Sequence, residues 1–272
     1  TEMLTDESAG RLTIVDQVIT VNSAATISVD TANLLEATTT GVVTASITTT
    51  ETVSELNTLT GTNGAYTIVV ASGDATSTTA AQLNTLNGKT TVAVDLTNVT
   101  ALAGSSLSDL ETLASAINAN EFSNDSGLTT IAVTDTTIDA TTLASTIDSY
   151  DAIGGTTDMT LASGATINVD AGEITEMLTD ESAGRLTIVD QVITVNGATT
   201  VDNANLLGAT TTGKLTATIA TTETVTELAT LSADGGTNDL TIVIRADDAT
   251  VSTAAQLNTI NAATALAVDL TN

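Results

Sequence analysis

The sequence predicts a repeat solenoid: a parallel β-solenoid (β-helix-like) with a short α-helix in most coils, about 25–31 residues per coil. Three observations predict it. They are a long internal duplication, a shorter strand-like period inside it, and a composition suited to thin, layered cores.

The duplication comes first. Residues 1–22, TEMLTDESAGRLTIVDQVITVN, recur unchanged at 175–196, a shift of 174. ANLLEATTTG (32–41) returns as ANLLGATTTG (204–213), and TTETVSELNTL (49–59) as TTETVTELATL (221–231). STTAAQLNTL (77–86) returns as VSTAAQLNTI (251–260), and VAVDLTN (92–98) as LAVDLTN (266–272). Residues 1–98 and 175–272 therefore read as two copies of one segment. Residues 99–174 read as intervening coils, the whole of 1–272 forming one continuous solenoid. The chain opens at Thr1 in mid-repeat, which points to a portion of a longer array.

The shorter period is a strand-like run that restarts at LTIVD (12–16), VVTASI (42–47), YTIVVA (66–71), TVAVDL (91–96), LTTIAV (128–133) and MTLASG (159–164). The second copy supplies LTIVD (186–190), KLTATI (214–219), LTIVIRA (240–246) and ALAVDL (265–270). Successive runs begin 24 to 37 residues apart.

Each coil also carries a Leu-x-x-Leu segment. Examples are Leu56 with Leu59, Leu83 with Leu86, Leu107 with Leu110 and Leu113, and Leu228 with Leu231. Leu143 with Ile147, Ile174 with Leu178 and Leu257 with Ile260 are looser versions. Spacings of three and four place these side chains on one helical face. Thr52 to Glu55 and Ser106 to Asp109 have the pattern of helix N-terminal capping. The longest coil predicts a helix over SSLSDLETLASAINA and a protruding loop at NANEFSNDSG (118–127). A single coil buries too little to offset its ordering entropy, so stacked copies must share a core. Thr and Asn at equivalent positions of neighbouring coils are placed to form hydrogen-bonded ladders.

Composition agrees. Apolar residues make up 42 % of the chain, drawn from Ala, Val, Leu and Ile, with two Tyr, one Phe and no Pro, Cys, His or Trp. Thr, Val and Ile favour strands, and absent Pro keeps every ladder donor in place.

The same composition excludes much chemistry. A net charge of −28, from 33 acidic and five basic residues, repels phosphate and so excludes nucleic-acid and anionic-membrane partners. No apolar run is long enough for membrane insertion. Without His or Cys there is no imidazole acid–base chemistry, thiol catalysis or thiolate metal site. Phosphate-binding glycine loops are also absent. Carboxylate pairs can cleave glycosides, but here the acids are spread through the repeats. The expectation is a protein that is not an enzyme, with a glycan-cleaving β-helix as the most distant alternative. Hard-cation chemistry is the remaining candidate. Asp74, Asp135, Asp139, Asp170, Asp247 and Asp248 fall at strand ends, and Asn124 and Asp125 in the long loop, so these are the candidate Ca2+ ligands. Asp at such corners also shapes turns and caps helices without any metal.

The motifs TAAQLNTLNGKTTVAVDLT, TTTGVVTASI and TTETVSELNTL resemble the Thr/Ala/Asp-rich tandem repeats of very long secreted surface proteins of cyanobacteria and other Gram-negative bacteria, RTX-adhesin-like in type. The resemblance implies a secreted, calcium-associated structural or adhesive role. The glycine-rich calcium nonapeptide of such proteins is missing, so no ligand residue is carried over. The expected function is a structural repeat protein, forming a rigid extracellular fibre or a spacer on a bacterial cell surface. It would self-associate end to end or side by side. The alternative is an adhesive module that contacts polysaccharide, a cell surface or ice.

Overall fold

The computed structural model describes residues 2–22, 24–61, 63–153, 157–232, 237–248 and 250–271. The chain divides into two compact units, Thr1–Ala132 with Asp148–Thr157, and Val133–Ile147 with Asp158–Asn272.

The first unit alternates helices and short strands: α1 (Glu2–Ser8), β1 (Ile19–Thr20), β2 (Thr26–Ile27), α2 (Val29–Thr38) and β3 (Val43–Ile47). It continues through α3 (Val53–Leu56), β4 (Ala65–Thr67), α4 (Ala80–Asn87), β5 (Val94–Asp95), β6 (Ala101–Ser105), α5 (Leu107–Asn118), β7 (Phe122–Ser123) and β8 (Thr130–Val133). Pairing is parallel. Ile19 of β1 lies beside Val43, Ile27 of β2 beside Ile47, and Tyr66 of β4 beside Ala45. Val94 of β5 lies beside Phe122 of β7. Helices begin where a hydroxyl accepts an early backbone amide. Ser28 takes Thr31 N and Ser106 takes Asp109 N, while Thr52–Glu55 and Thr79–Gln82 form reciprocal capping boxes. Buried Leu83 and Leu86 of α4 and Leu110 and Leu113 of α5 fill the core between them.

The second unit holds β9 (Thr137–Asp139), the Ala140–Ile147 part of α6 (Ala140–Asp151), β10 (Asp158–Leu161), β11 (Thr166–Asp170) and α7 (Ile174–Ser182). It continues with β12 (Leu186–Thr187), β13 (Val192–Thr199), α8 (Val201–Thr210), β14 (Leu215–Ile219), α9 (Val225–Leu228), β15 (Asp239–Thr241) and α10 (Ala254–Ala262). Five strands form one parallel sheet in the order β15-β14-β13-β11-β9. Its register aligns Ile138, Ile167, Ile193 and Leu215 in one fully buried row. Alternation along the strands puts Asp139, Asn168, Thr194 and Thr216 in register beside that row, on the opposite face. The β13–β14 register shifts between Thr194 and Ala198, where Gly197 takes a left-handed φ of 89°.

This architecture corrects the expected fold class. The molecule is an α/β fold with short parallel strands in several sheets and ten α-helices among the described residues, not a single parallel β-solenoid. The predicted strand runs are too interrupted to carry one sheet through the chain. LTIVD at 12–16 forms no strand, and TVAVDL contributes only Val94–Asp95. Polar side chains at the corners bond the local backbone and end the strands early. Asp95 Oδ1 accepts Thr97 N at 2.8 Å, and Thr90 Oγ1 accepts Val92 N at 3.1 Å. The Ala- and Leu-rich segments meanwhile extend to twelve-residue helices in α5 and α6. The loop expected to protrude at 118–127 is also tied down. Phe122 is buried in β7, and Asp125–Gly127 form a turn of 3₁₀ helix.

Candidate functional site

Of the eight acidic and amide residues singled out by the sequence, three side chains, those of Asp74, Asp139 and Asp248, accept a backbone amide. Asp74 sits at the end of the 3₁₀ turn Ser72–Asp74, and its Oδ2 accepts Val53 N, the first amide of α3, at 2.8 Å. Asp248 repeats this in the second unit, accepting Val225 N, the first amide of α9, at 3.0 Å. Asp139 caps α6, its Oδ1 accepting Thr142 N and Thr142 Oγ1 at 3.0 and 3.1 Å. Asp247 is exposed and lies 3.4 Å from Arg245. Asp170 ends β11, exposed, with its carbonyl accepting Glu173 N. Asn124 adopts a left-handed conformation (φ 57°, ψ 36°), and Asp125 opens the following turn. Asp135 is half-buried just after β8. Among the described residues, no three carboxylates converge as a metal site would require.

A second set was not singled out by number in the sequence. Asn33 Nδ2 donates to Thr58 O at 3.1 Å, Asn57 Nδ2 to Gln82 O at 3.1 Å, and Asn84 Nδ2 to Asp109 O at 2.9 Å. Asn205 Nδ2 repeats the first of these, donating to Thr230 O at 3.0 Å. Each Asn reaches the segment 25 residues ahead. The signal was legible as the recurrent LNTL at 56–59 and 83–86.

Thr hydroxyls form further rungs. Thr39 donates to Gln17 O, Thr90 to Tyr66 O, Thr211 to Gln191 O and Thr264 to Leu240 O, at 2.6 to 2.8 Å. The first amides of α2 and α4 are likewise held from the following segment, by Glu51 Oε1 at 3.2 Å and Ser105 Oγ at 2.9 Å.

The acids that titrate abnormally are also structural. A backbone amide and then a hydroxyl from Thr52 hold the Glu55 carboxyl below the usual range, and Thr224 does the same to Glu227. The Ser163 hydroxyl and then the Gly164 amide lower Asp190. Burial, followed by the hydrogen bond to Glu36, pushes the Tyr66 hydroxyl well above the ordinary phenol range.

A groove of about 430 Å³ is lined by Thr200, Val201, Asp202, Glu223, Thr226, Glu227 and Thr230. Its Glu227 is already bonded within the α9 capping box. No helix among the described residues is long and apolar enough to cross a membrane. Comparison with protein-family models, curated proteins and solved structures gives no match.

Proposed function

We propose that the chain is a structural repeat module, a rigid spacer of an extracellular or bacterial cell-surface assembly that self-associates with further copies. The observation that carries this reading is the recurrence of the same inter-segment bonds in both sequence copies. Asn33 and Asn205, Thr39 and Thr211, and Asp74 and Asp248 make matching contacts at matching positions. Polar side chains that a binding site would present to a ligand are here joined to neighbouring segments. A large negative charge suits a solvated surface in a salty medium, where screening limits self-repulsion.

An adhesive module is the second reading. It draws support from Leu34 and Leu206, which are 58 % and 54 % exposed at matched positions of α2 and α8. Repeated exposed leucines offer a regular apolar contact to a partner surface.

Electron microscopy of the full chain, with and without a calcium chelator, separates the readings. Ordered assemblies are the expected result, and their loss on chelation would add calcium as a structural ligand at the Asp corners. Dispersed monomers under both conditions would sink the spacer reading in favour of the adhesive one.

A further inference from the structure

The two copies part company at a carboxylate that the first carries beside a cavity and the second lacks. Glu36 of α2 is half-buried and Tyr66 of β4 fully buried. The Tyr66 hydroxyl donates to Glu36 Oε1 at 2.6 Å. Two glycines make room for the pair. A Cβ at Gly61 would overlap the Glu36 carboxyl, and one at Gly64 would overlap the Tyr66 ring. The hydrogen bond occupies one carboxylate oxygen, and Oε2 has no hydrogen-bond donor among the described residues.

Glu36, Thr39, Thr40, Thr60, Gly61 and Asn63 line an open cavity of about 320 Å³, within the size range of small-molecule sites. The hydroxyl hydrogens of its three threonines are already committed. Thr39 Oγ1 donates to Gln17 O at 2.6 Å, Thr40 Oγ1 to Val15 O at 3.1 Å, and Thr60 Oγ1 to Asn33 Oδ1 at 3.2 Å. The preceding segment thus holds Thr39 and Thr40, and the following one supplies Thr60, Gly61 and Asn63, so both sides of the cavity are in place. What the threonines can still offer a ligand is oxygen lone pairs. Among the described residues, no basic side chain lines the cavity. Its lining is therefore rich in acceptors, carries one negative charge, and keeps side-chain donors only at the Asn63 amide.

We propose that this cavity binds a primary ammonium group on a small polar carrier, the amino group of an amino sugar or of a lysine side chain. An ammonium brings three donors and no acceptor, which suits a lining whose own hydroxyl donors are spent. A charge-assisted bond to Glu36 Oε2 anchors it, and the Thr40 and Thr60 oxygens accept further N–H or O–H groups of the ligand. One carboxylate is too little for calcium, which takes about six to eight oxygens and favours several charged ones. The net charge of −28 draws any cation toward the surface, so selectivity has to come from this geometry. The second copy supplies the comparison. Gly208 and Leu240 stand where Glu36 and Tyr66 do, and Ser232 where Thr60 does. The chain therefore carries this site once. The inference goes beyond the spacer reading and does not depend on it.

The test titrates the isotopically labelled full chain with glucosamine, Nα-acetyl-lysine amide and N-acetylglucosamine. Amide NMR shifts are followed in about 0.15 M salt, where diffuse attraction is screened. Expected are saturable shifts at Thr40, Gly61 and Asn63 and none at Thr212, the match of Thr40. At least one ammonium probe should bind with a dissociation constant of about a few millimolar or tighter, and the tighter of the two names the carrier. Neutral N-acetylglucosamine should not bind. Glu36→Gln, which keeps the shape and removes the charge, should weaken binding about tenfold or more. No saturation by either ammonium probe up to about 100 mM overturns the proposal, as does binding that survives Glu36→Gln. Equal binding of the N-acetylated sugar overturns it on the unaltered chain, whatever the variant does to folding. Equal shifts at Thr212 would mark general cation attraction, and displacement of the probe by equimolar calcium chloride would mark a hard-cation site. Either result overturns it too.

Discussion

Gly213 lies where the chain turns into β14 beneath the backbone of the preceding segment. A Cβ there would sit 2.3 Å from Gln191 O and 2.6 Å from Asp190 O. At Gly41, the matched position, the same approach to Gln17 O and Asp16 O would be 2.5 and 2.7 Å. Real Cβ atoms essentially never come closer than 3.0 Å, so Gly213→Ala must displace backbone by about 0.7 Å. The displaced carbonyl is the one that Thr211 Oγ1 bonds at 2.6 Å. Overpacking costs about 1–3 kcal/mol and a weakened hydrogen bond about 1 kcal/mol, giving a loss of about 2–4 kcal/mol. For a chain of this size that lowers Tm by about 5–15 °C. Gly172 is the control, since a Cβ there meets nothing within 4 Å. Gly172→Ala should be neutral or stabilising by up to about 1 kcal/mol, through the unfolded chain. Urea and thermal unfolding of both variants decide the matter. Gly213→Ala within about 0.5 kcal/mol of the parent, the spread of an ordinary surface change, would refute the close-approach argument.

Thr52→Ala and Thr224→Ala each remove a capping box, and each should cost about 1 kcal/mol in urea unfolding. Tyr66 Oη donates to Glu36 Oε1 at 2.6 Å, and the matched positions of the second copy hold Leu240 and Gly208. Tyr66→Phe should therefore cost about 1–2 kcal/mol, and its effect should shrink in a Glu36→Gly background when the full double-mutant cycle is measured. Glu55 and Glu227 have lowered folded pKa values, so their contribution is present above the unfolded value of 4.5 and lost as pH falls through the folded one. Stability should decline in acid below that point, and Glu55→Gln with Glu227→Gln should flatten that part of the unfolding profile.

Helix starts were the most legible part of the fold, because Thr52 with Glu55 and Ser106 with Asp109 carry their own mechanism within one turn. Strands were the least legible, and the duplication shows why. LTIVD is the same at 12–16 and 186–190, yet Leu186 is 2 % exposed in a strand while Leu12 is 40 % exposed outside one. Met159 of β10 pairs with Leu186, and that neighbour, not the five residues themselves, makes the strand. Among the candidate site residues, Asp139 caps the helix it precedes, a role local spacing can suggest. Asp74 and Asp248 bond amides 21 and 23 residues earlier, contacts that depend on how segments meet. A carboxylate at a corner looks alike in sequence whether it awaits a cation or holds a helix start.

The most direct test of the structural reading is therefore the unfolding free energy of Asp74→Ala and Asp248→Ala, each measured in chelator and in millimolar calcium. As acceptors for the Val53 and Val225 amides, both carboxylates should contribute about 1–2 kcal/mol. The account predicts the same loss in both media. A loss that appears only with calcium would contradict it and make these residues metal ligands.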